Sequence, residues 1–316
     1  MSFFKFRFGL PQNAVRFTFF VLAGVLGLIP GRGEARSELG LVFGTYNVWG
    51  LPAPLTIRPS RLKAIARELA NSDVEVWAFQ ETFTSRAAVL AQVPSHPHVA
   101  FGPGKKAGKI SSGLMTVSRH PIEAVARLSF SRCAGTDCLS NKGALYTRIR
   151  IPGGERPIHV FNTHLTSAGS DDVRDSQVRE LLRFIATQVQ ADEPVVVAGD
   201  FNFTPDSQPY FRLRSDAGWR DVQDDYRQAN PWLGLDDWLG YTYDPDRNTN
   251  LRAQVFSHPT RIDYVWIQGS SRCLASRVEK SGLVFDERFS GRHLSDHFGV
   301  RSELRWELGA SGDCQP

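Results

Sequence analysis

From about residue 40 onward, short apolar runs alternate with polar words, and the spacing of the apolar positions predicts the elements. Leu41 to Val48 reads as a strand. Ser60 is placed to cap a helix whose apolar positions Leu62, Ile65, Ala66 and Leu69 share one face. Val74 to Phe79 reads as a buried strand that delivers Gln80 and Glu81 to its end. Further strands are predicted over 113–118, 144–151 and 158–163, separated by turn signals at His120-Pro121 and Pro152-Gly153-Gly154. A second helix over 173–189 carries Val178, Leu181, Leu182, Ile185 and Val189 on one face and leads into Pro194 to Ala198, a continuous apolar run of central-strand type. Strands at 261–267 and near 298–305 follow. Many strands, few helices and an order that does not strictly alternate imply sheets packed face to face with helices outside.

The N-terminal region breaks this pattern. Residues 17–29, FTFFVLAGVLGLI, follow the basic residues Lys5, Arg7 and Arg16 and precede Gly33-Glu34-Ala35, the layout of a secretory signal cleaved near Ala35. The run is shorter than the roughly 20 apolar residues of a comfortable membrane span, so a retained anchor is the lesser reading. No cysteine precedes Cys133, which excludes a lipid-modified cysteine behind the signal. The expected organisation is a signal over 1–35 and one catalytic domain over 36–316, in a secreted or periplasmic protein.

Charge then narrows the partners. The whole chain has 37 Lys+Arg and 33 Asp+Glu, and residues 1–35 hold four of the basic residues and one of the acidic ones. The remainder is nearly neutral, without the basic excess that gives nucleic-acid binders their affinity. Lys105, Lys106 and Lys109 read as a solvated loop. Four cysteines fit two disulfides in an oxidising compartment, Cys133 with Cys138 as close neighbours and therefore Cys273 with Cys314. The spacing does not suit zinc.

Polar words end several of the apolar runs: Asn47 in TYNVWG, Glu81 in FQET, His164 in NTHL, Asp200 and Asn202 in GDFN, and Asp296-His297 in SDH. A carboxylate beside buried sequence needs compensation, and a divalent cation is the strongest compensator, so Glu81 is the first candidate metal ligand and Asn47 a neutral oxygen beside it. Asp200 and Asn202, two apart, face one side of an extended segment and suit a water nucleophile and a phosphate oxygen. His297 is the candidate general base, with Asp263 of RIDYVW as orienting acceptor and Asp296 toward the metal side. His164 is placed to contact a phosphoryl or leaving-group oxygen. His96, His98, His120 and His258 sit beside prolines and read as ordinary loop residues, and core packing is the favoured use of the aromatic-rich stretch 232–243 over contact with lipid.

Taken together, TYNVWG, QET, NTHL, GDFN, IDYVW and SDH resemble the successive motifs of the endonuclease/exonuclease/phosphatase superfamily. Ser140-Asn141-Lys142-Gly143 and Tyr241-Thr242-Tyr243-Asp244-Pro245 with Asn248 resemble segments of its neutral sphingomyelinase branch. The resemblance implies a deoxyribonuclease I-like four-layer α/β sandwich, with two mostly antiparallel sheets flanked by helices. It implies Glu81 and Asn47 on an essential Mg2+, with Mn2+ or Co2+ as substitutes. It further implies Asp200 and Asn202 on nucleophile and phosphate, His297 as base oriented by Asp263, Asp296 in the same cluster, His164 as a second catalytic histidine, and Lys142 toward a phosphate or a site carboxylate. The expected activity is hydrolysis of sphingomyelin, or a related choline phospholipid, to ceramide and phosphocholine at a phospholipid membrane surface. The alternative is an extracellular nuclease; no obligate protein partner is evident. One departure stands out: secreted bacterial sphingomyelinases carry a hairpin with adjacent exposed aromatics between the IDY and SDH words, where 268–294 offers only Leu283-Val284-Phe285 and Phe289.

Overall fold

The computed structural model describes residues 37–52, 58, 60–234, 239–251, 258–271 and 273–309. The expected signal segment and Cys314, the expected partner of Cys273, therefore lie outside the described residues. Residues from Ala35 on form one compact unit.

Twelve strands make two six-stranded sheets. The first sheet contains β1 (Ser37–Asn47), β2 (Val76–Gln80), β3 (His98–Phe101), β4 (Met115–Ser118), β11 (Leu274–Val284) and β12 (Gly299–Leu308), in the order β11-β12-β1-β2-β4-β3. The second contains β5 (Ile122–Ser129), β6 (Gly143–Ile149), β7 (Ile158–His164), β8 (Val195–Asp200), β9 (Trp219–Asp221) and β10 (Asp263–Gln268), in the order β5-β6-β7-β8-β10-β9. Only β1 with β2 and β7 with β8 pair in parallel. Among the described residues the helices are α1 (Ser60–Asn71), α2 (Asp171–Gln188), α3 (Gln208–Phe211) and α4 (Val222–Ala229), with short 3-10 segments at Ser85–Gln92 and Gly135–Leu139 and a π turn at Arg212–Asp216. None of the described helices is long and apolar enough to cross a membrane.

Strand periodicity sorts the side chains into layers. On β8, Val196 and Ala198 face the other sheet, joining Leu41, Phe43, Val76, Ala78, Val160 and Val265 in the central core. Val195 and Val197 face outward onto Val178, Leu181 and Ile185 of α2. On the far side, Trp77 and Phe79 of β2 pack on Leu62, Ile65 and Leu69 of α1. The result is helix, sheet, sheet, helix: the expected four-layer sandwich.

Four strands escape the sequence pattern, and edge position explains them. Strand β5 buries no residue fully, and β9 has only three residues. Strand β3 is an edge with one buried position. Strand β11 lies in a region, 268–294, where no strand was read; it pairs with β12 from Leu274 to Val284, and a bulge between Val278 and Lys280 resets its alternation. Of the histidines read as loop residues, His98 opens β3, His120 lies 2.7 Å from Glu75, and His258 is exposed.

His96 corrects the same reading more sharply. It is fully buried, with Nε2 donating to the Val74 carbonyl (2.9 Å) and Nδ1 accepting from Ser95 Oγ (3.0 Å). Burial, the largest influence, lowers its pKa to about 4. The unfolded chain takes up this proton near pH 6.5, so the native state loses stability as pH falls from about 6.5 to 4, by up to about 3 kcal/mol. Denaturant titrations across this window are expected to show a flatter pH profile for His96→Gln than for the parent. Parallel profiles would show that His96 does not set the acid sensitivity.

Candidate metal-assisted hydrolytic site

The inward-facing row of each central strand turns from apolar to polar at one end of the sandwich. Along β1 it runs Leu41, Phe43, Thr45, Asn47; along β7, Val160, Asn162, His164; along β8, Val196, Ala198, Asp200. Register aligns these ends. Asn47 pairs with Gln80, His164 with Asp200, and Asp200 with Asp263. Polar words scattered along the chain thus become one row above the core.

Beneath the row, a buried amide pair spans the two sheets. Gln80 Nε2 donates to Asn162 Oδ1 (2.9 Å), while Asn162 Nδ2 donates to the carbonyls of Phe79 and Met115 (3.0 Å each). Both residues stand in the recognised words, yet neither was assigned a role. Their shared strand parity with Asn47 and His164 was the available signal.

A cavity of about 350 Å³ opens above this floor, lined by Glu81, Lys142, His164, Asp200, Asn202, Asp296 and His297, with Trp49 and Tyr243 at its walls. His297 Nδ1 donates to Asp263 Oδ2 (2.8 Å), and its Nε2 stands 3.8 Å from Asp200 Oδ2. Burial would lower the pKa of His297, but Asp263, then Asp200 and Asp296, outweigh it and hold it well above the usual value. His164 Nε2 lies 3.3 Å from Asp200 Oδ2, and its Nδ1 is buried without a partner. Burial, then the charge of Lys142, lowers its pKa to about 4, which makes it a neutral hydrogen-bonding group at pH 7.

Asn47 stands differently from its expected part. Its amide nitrogen donates to Asp200 Oδ2 (2.9 Å) and Glu81 Oε1 (3.2 Å), while its oxygen accepts from the Trp49 backbone N–H (3.0 Å). In this arrangement it orients two carboxylates. Asn202 adopts left-handed backbone (φ 52°), takes a bond from its own N–H to Asp200 Oδ1, and donates from Nδ2 to the Leu165 carbonyl. Glu81 is likewise left-handed (φ 58°), a conformation that a non-glycine residue holds only against strain.

Lys142 donates to the Leu165 carbonyl (2.8 Å) and pairs with Asp137 (3.1 Å), so its partner here is a carboxylate that the sequence reading did not select. Asp137 lies inside the short loop closed by the Cys133–Cys138 disulfide. It also accepts from Thr166 Oγ1 and from the N–H groups of Ser167 and Ala168. Burial opposes its ionisation, but Lys142 and His164, with these donors, hold its pKa well below the usual carboxylate value. Gly143 completes the segment: a Cβ there would meet the Leu128 carbonyl oxygen at 1.8 Å, so only glycine lets β6 approach β5.

Two further segments hold the SDH word. Thr242 Oγ1 accepts from the N–H groups of Ile262 and Asp263 (3.1 Å each), and Asn248 Nδ2 donates to the Ser295 carbonyl (3.0 Å). Ser295 Oγ donates to the Asn47 carbonyl (2.7 Å). The aromatic stretch divides: Trp232 is 94% exposed, against the expectation of core packing, whereas Tyr243 is buried with its ring edge-on to His297. Lys105 and Lys106 are exposed, as a solvated loop requires.

The donor set fits a hard cation. Glu81 is half-buried, with its Oε2 buried and without a partner; desolvation, then the charge of Asp296, pushes its pKa up to about 7. Asp296 is also raised, chiefly by burial. Carboxylates so crowded are short of positive charge, and oxygen ligands of this kind suit Mg2+. Asp200, Asp263 and His297 also place ligand atoms within 4.8 Å of one another. The short His297–Asp263 hydrogen bond already occupies one atom of each, which favours Glu81, with Asp200 and Asp296 nearby, as the cation's holders.

The model of the endonuclease/exonuclease/phosphatase family matches residues 44–297, from the strand before Asn47 to His297 itself. The chain belongs to this family. Within the family it is 30% identical over 264 residues to the sphingomyelinase of Mycobacterium tuberculosis, an alignment taking in 80% of this chain and 50% of that protein. It thus spans about half the length of that relative. Among solved structures, a mutant beta toxin of Staphylococcus aureus with bound magnesium ions matches with TM-score 0.61 and 20% identity, over 84% of this chain and 99% of the other. D. rerio TDP2 complexed with a single-strand DNA product matches with TM-score 0.67 and 19% identity, over 84% and 98%. At these identities the structural likeness establishes the family fold alone.

The family site yields a test of the metal assignment that does not require turnover. Glu81→Gln removes a charge whose Oε2 is buried without a partner, so in chelator its melting temperature is expected to exceed the parent's at pH 8. With Mg2+ the order is expected to reverse, and calorimetry is expected to show at least tenfold weaker Mg2+ binding. Equal Mg2+ affinity in the two proteins would remove Glu81 from the metal site.

Proposed function

We propose that the chain is a secreted, Mg2+-dependent phosphodiesterase that hydrolyses sphingomyelin to ceramide and phosphocholine. The observation that carries the reading is the convergence on one cavity of an oriented imidazole, a carboxylate with a buried, unpartnered oxygen, and the side chains of Lys142 and Asn202. The similarity to a sphingomyelinase supports a lipid over a nucleic acid, as does the near-neutral charge beyond residue 35. Export rests on the apolar run at 17–29, with the Cys133–Cys138 disulfide in its support.

The chain's own groups divide the work. Asp263 and Thr242 fix the His297 ring so that Nε2, the nitrogen without a hydrogen bond, faces the cavity; a cation among the carboxylates would offset the charge that raises the His297 pKa and leave Nε2 able to take a proton from water. Asp200, held by Asn47 and by the Asn202 N–H, orients that water. Asn202 and the neutral His164 offer hydrogen bonds to phosphoryl oxygen, and Lys142, braced by Asp137, adds fixed positive charge. A divalent cation held by Glu81, with Asp200 and Asp296 nearby, would supply Lewis acidity toward the phosphoryl group and ease loss of a proton from water. One attack of water in line with the leaving alkoxide breaks the P–O bond, with no covalent enzyme intermediate.

Purified protein offered sphingomyelin vesicles and plasmid DNA in parallel, with and without chelator, is expected to release phosphocholine in Mg2+ and to leave the plasmid intact. Plasmid nicking without lipid turnover would establish the nuclease alternative, for which the likeness to a DNA-bound structure is the specific motive.

The same assay reads the base. His297→Ala is expected to lose roughly 10²–10⁴-fold in turnover, together with the acidic limb of the pH–rate profile, while vesicle binding stays unchanged. Turnover within tenfold of the parent would assign proton removal elsewhere.

A further inference from the structure

Beside the catalytic cavity lies a second one of about 480 Å³, and the two share Trp49 and Asn250 as a common wall. Its remaining lining includes Arg58, Arg61 and Arg292, with Thr249. None of the three arginines pairs with a carboxylate among the described residues. Arg61 is buried, held by the carbonyls of Val48, Trp49 and Leu294, and stacks 5.3 Å from the Trp49 ring centre. Arg58 spends one nitrogen on Asn250 Oδ1 (2.8 Å) and the His293 carbonyl (3.3 Å). Burial, and next the charge of Arg292, lowers its proton affinity, as like charges turned toward one space must. Arg292 is exposed at the mouth. Asp296 and Glu81 of the neighbouring cluster act on Arg61 through the shared wall, but no acidic side chain lines this cavity itself, so Arg58 and Arg292 face it without a carboxylate.

We propose that this pocket is an anion subsite that receives a phosphate-type group carried on the headgroup side of the substrate, beyond the scissile phosphodiester. It rests on the phosphodiesterase reading and extends it beyond choline: a headgroup bearing a second anionic group gains contacts in this pocket, whereas choline leaves it unused.

The test has a binding arm and a kinetic arm. In chelator, glycerol 3-phosphate is expected to bind the full chain, and Arg292→Gln and Arg58→Gln are each expected to weaken it about tenfold, a change of about 1.4 kcal/mol. Arg292 is exposed, so its variant does not threaten the fold. In Mg2+, two p-nitrophenyl phosphodiesters, one of choline and one of glycerol 3-phosphate, are compared. Arg292→Gln is expected to raise KM for the anionic ester about tenfold, with kcat unchanged and the choline ester affected less than twofold. Unchanged glycerol 3-phosphate binding in both variants, or equal KM effects on both esters, overturns the proposal. Inorganic phosphate binding more tightly than glycerol 3-phosphate would assign the pocket to free phosphate and also overturns it. Hydrolysis of neither ester would sink the phosphodiesterase reading instead, and the binding arm then decides the pocket alone.

Discussion

The buried amide pair of Gln80 and Asn162 is the constraint on which the rest of the site depends. A sandwich core stays dry and apolar over most of its depth, but a hydrolytic site needs polar groups at one end of it. An unsatisfied buried amide costs about 1–3 kcal/mol, so the transition must be closed by hydrogen bonds. Asn162 does this by reaching across to two carbonyls of the opposite sheet and to Gln80. The pair fixes the spacing of the two sheets at the level where Asn47, His164 and Asp200 begin.

Above that floor, the electrostatics are deliberately unbalanced in two directions. Glu81, Asp137, Asp200 and Asp296 line one cavity with His297 and Lys142 as the nearby cations, and Glu81 keeps an oxygen without a partner. Arg58, Arg61 and Arg292 crowd the adjoining cavity without an acid. Trp49 separates them, with its carbonyl bound to Arg61 and its N–H bound to Asn47. A single residue with left-handed backbone (φ 49°) therefore ties the anionic cluster to the cationic one. Folds hold such local strain where a site requires it.

Rigid support of His297 comes from parts of the chain far apart in sequence. Asp263 orients the ring, Thr242 fixes Asp263, Asn248 holds Ser295, and Ser295 binds the Asn47 carbonyl. The T-x-D-P…N segment thus acts as a clamp on the SDH word, while Lys142 of the NKG segment, just beyond the disulfide-closed loop, is braced by Asp137 inside that loop.

The alternation of side chains along β1, β7 and β8 determined the sheets, the layers and which residues share the active end, because strand parity is local and needs only neighbours. Asn47, Glu81, His164, Asp200, Asp263 and His297 were singled out because each stands in a polar word at or near the end of an apolar run, and the family motifs suggested roles for them. The edge strands β5 and β11 were not, because half-exposed positions blur the alternation and a bulge resets it. Nor were His96, Asp137, the direction of the Asn47 amide or the arginine pocket. These depend on which distant groups meet: burial of a loop histidine, a carboxylate closing on Lys142 across the site, and three arginines from two separate segments facing one space. Sequence fixes the inventory and the parity; only the packing of the two sheets decides which charges are left without a partner.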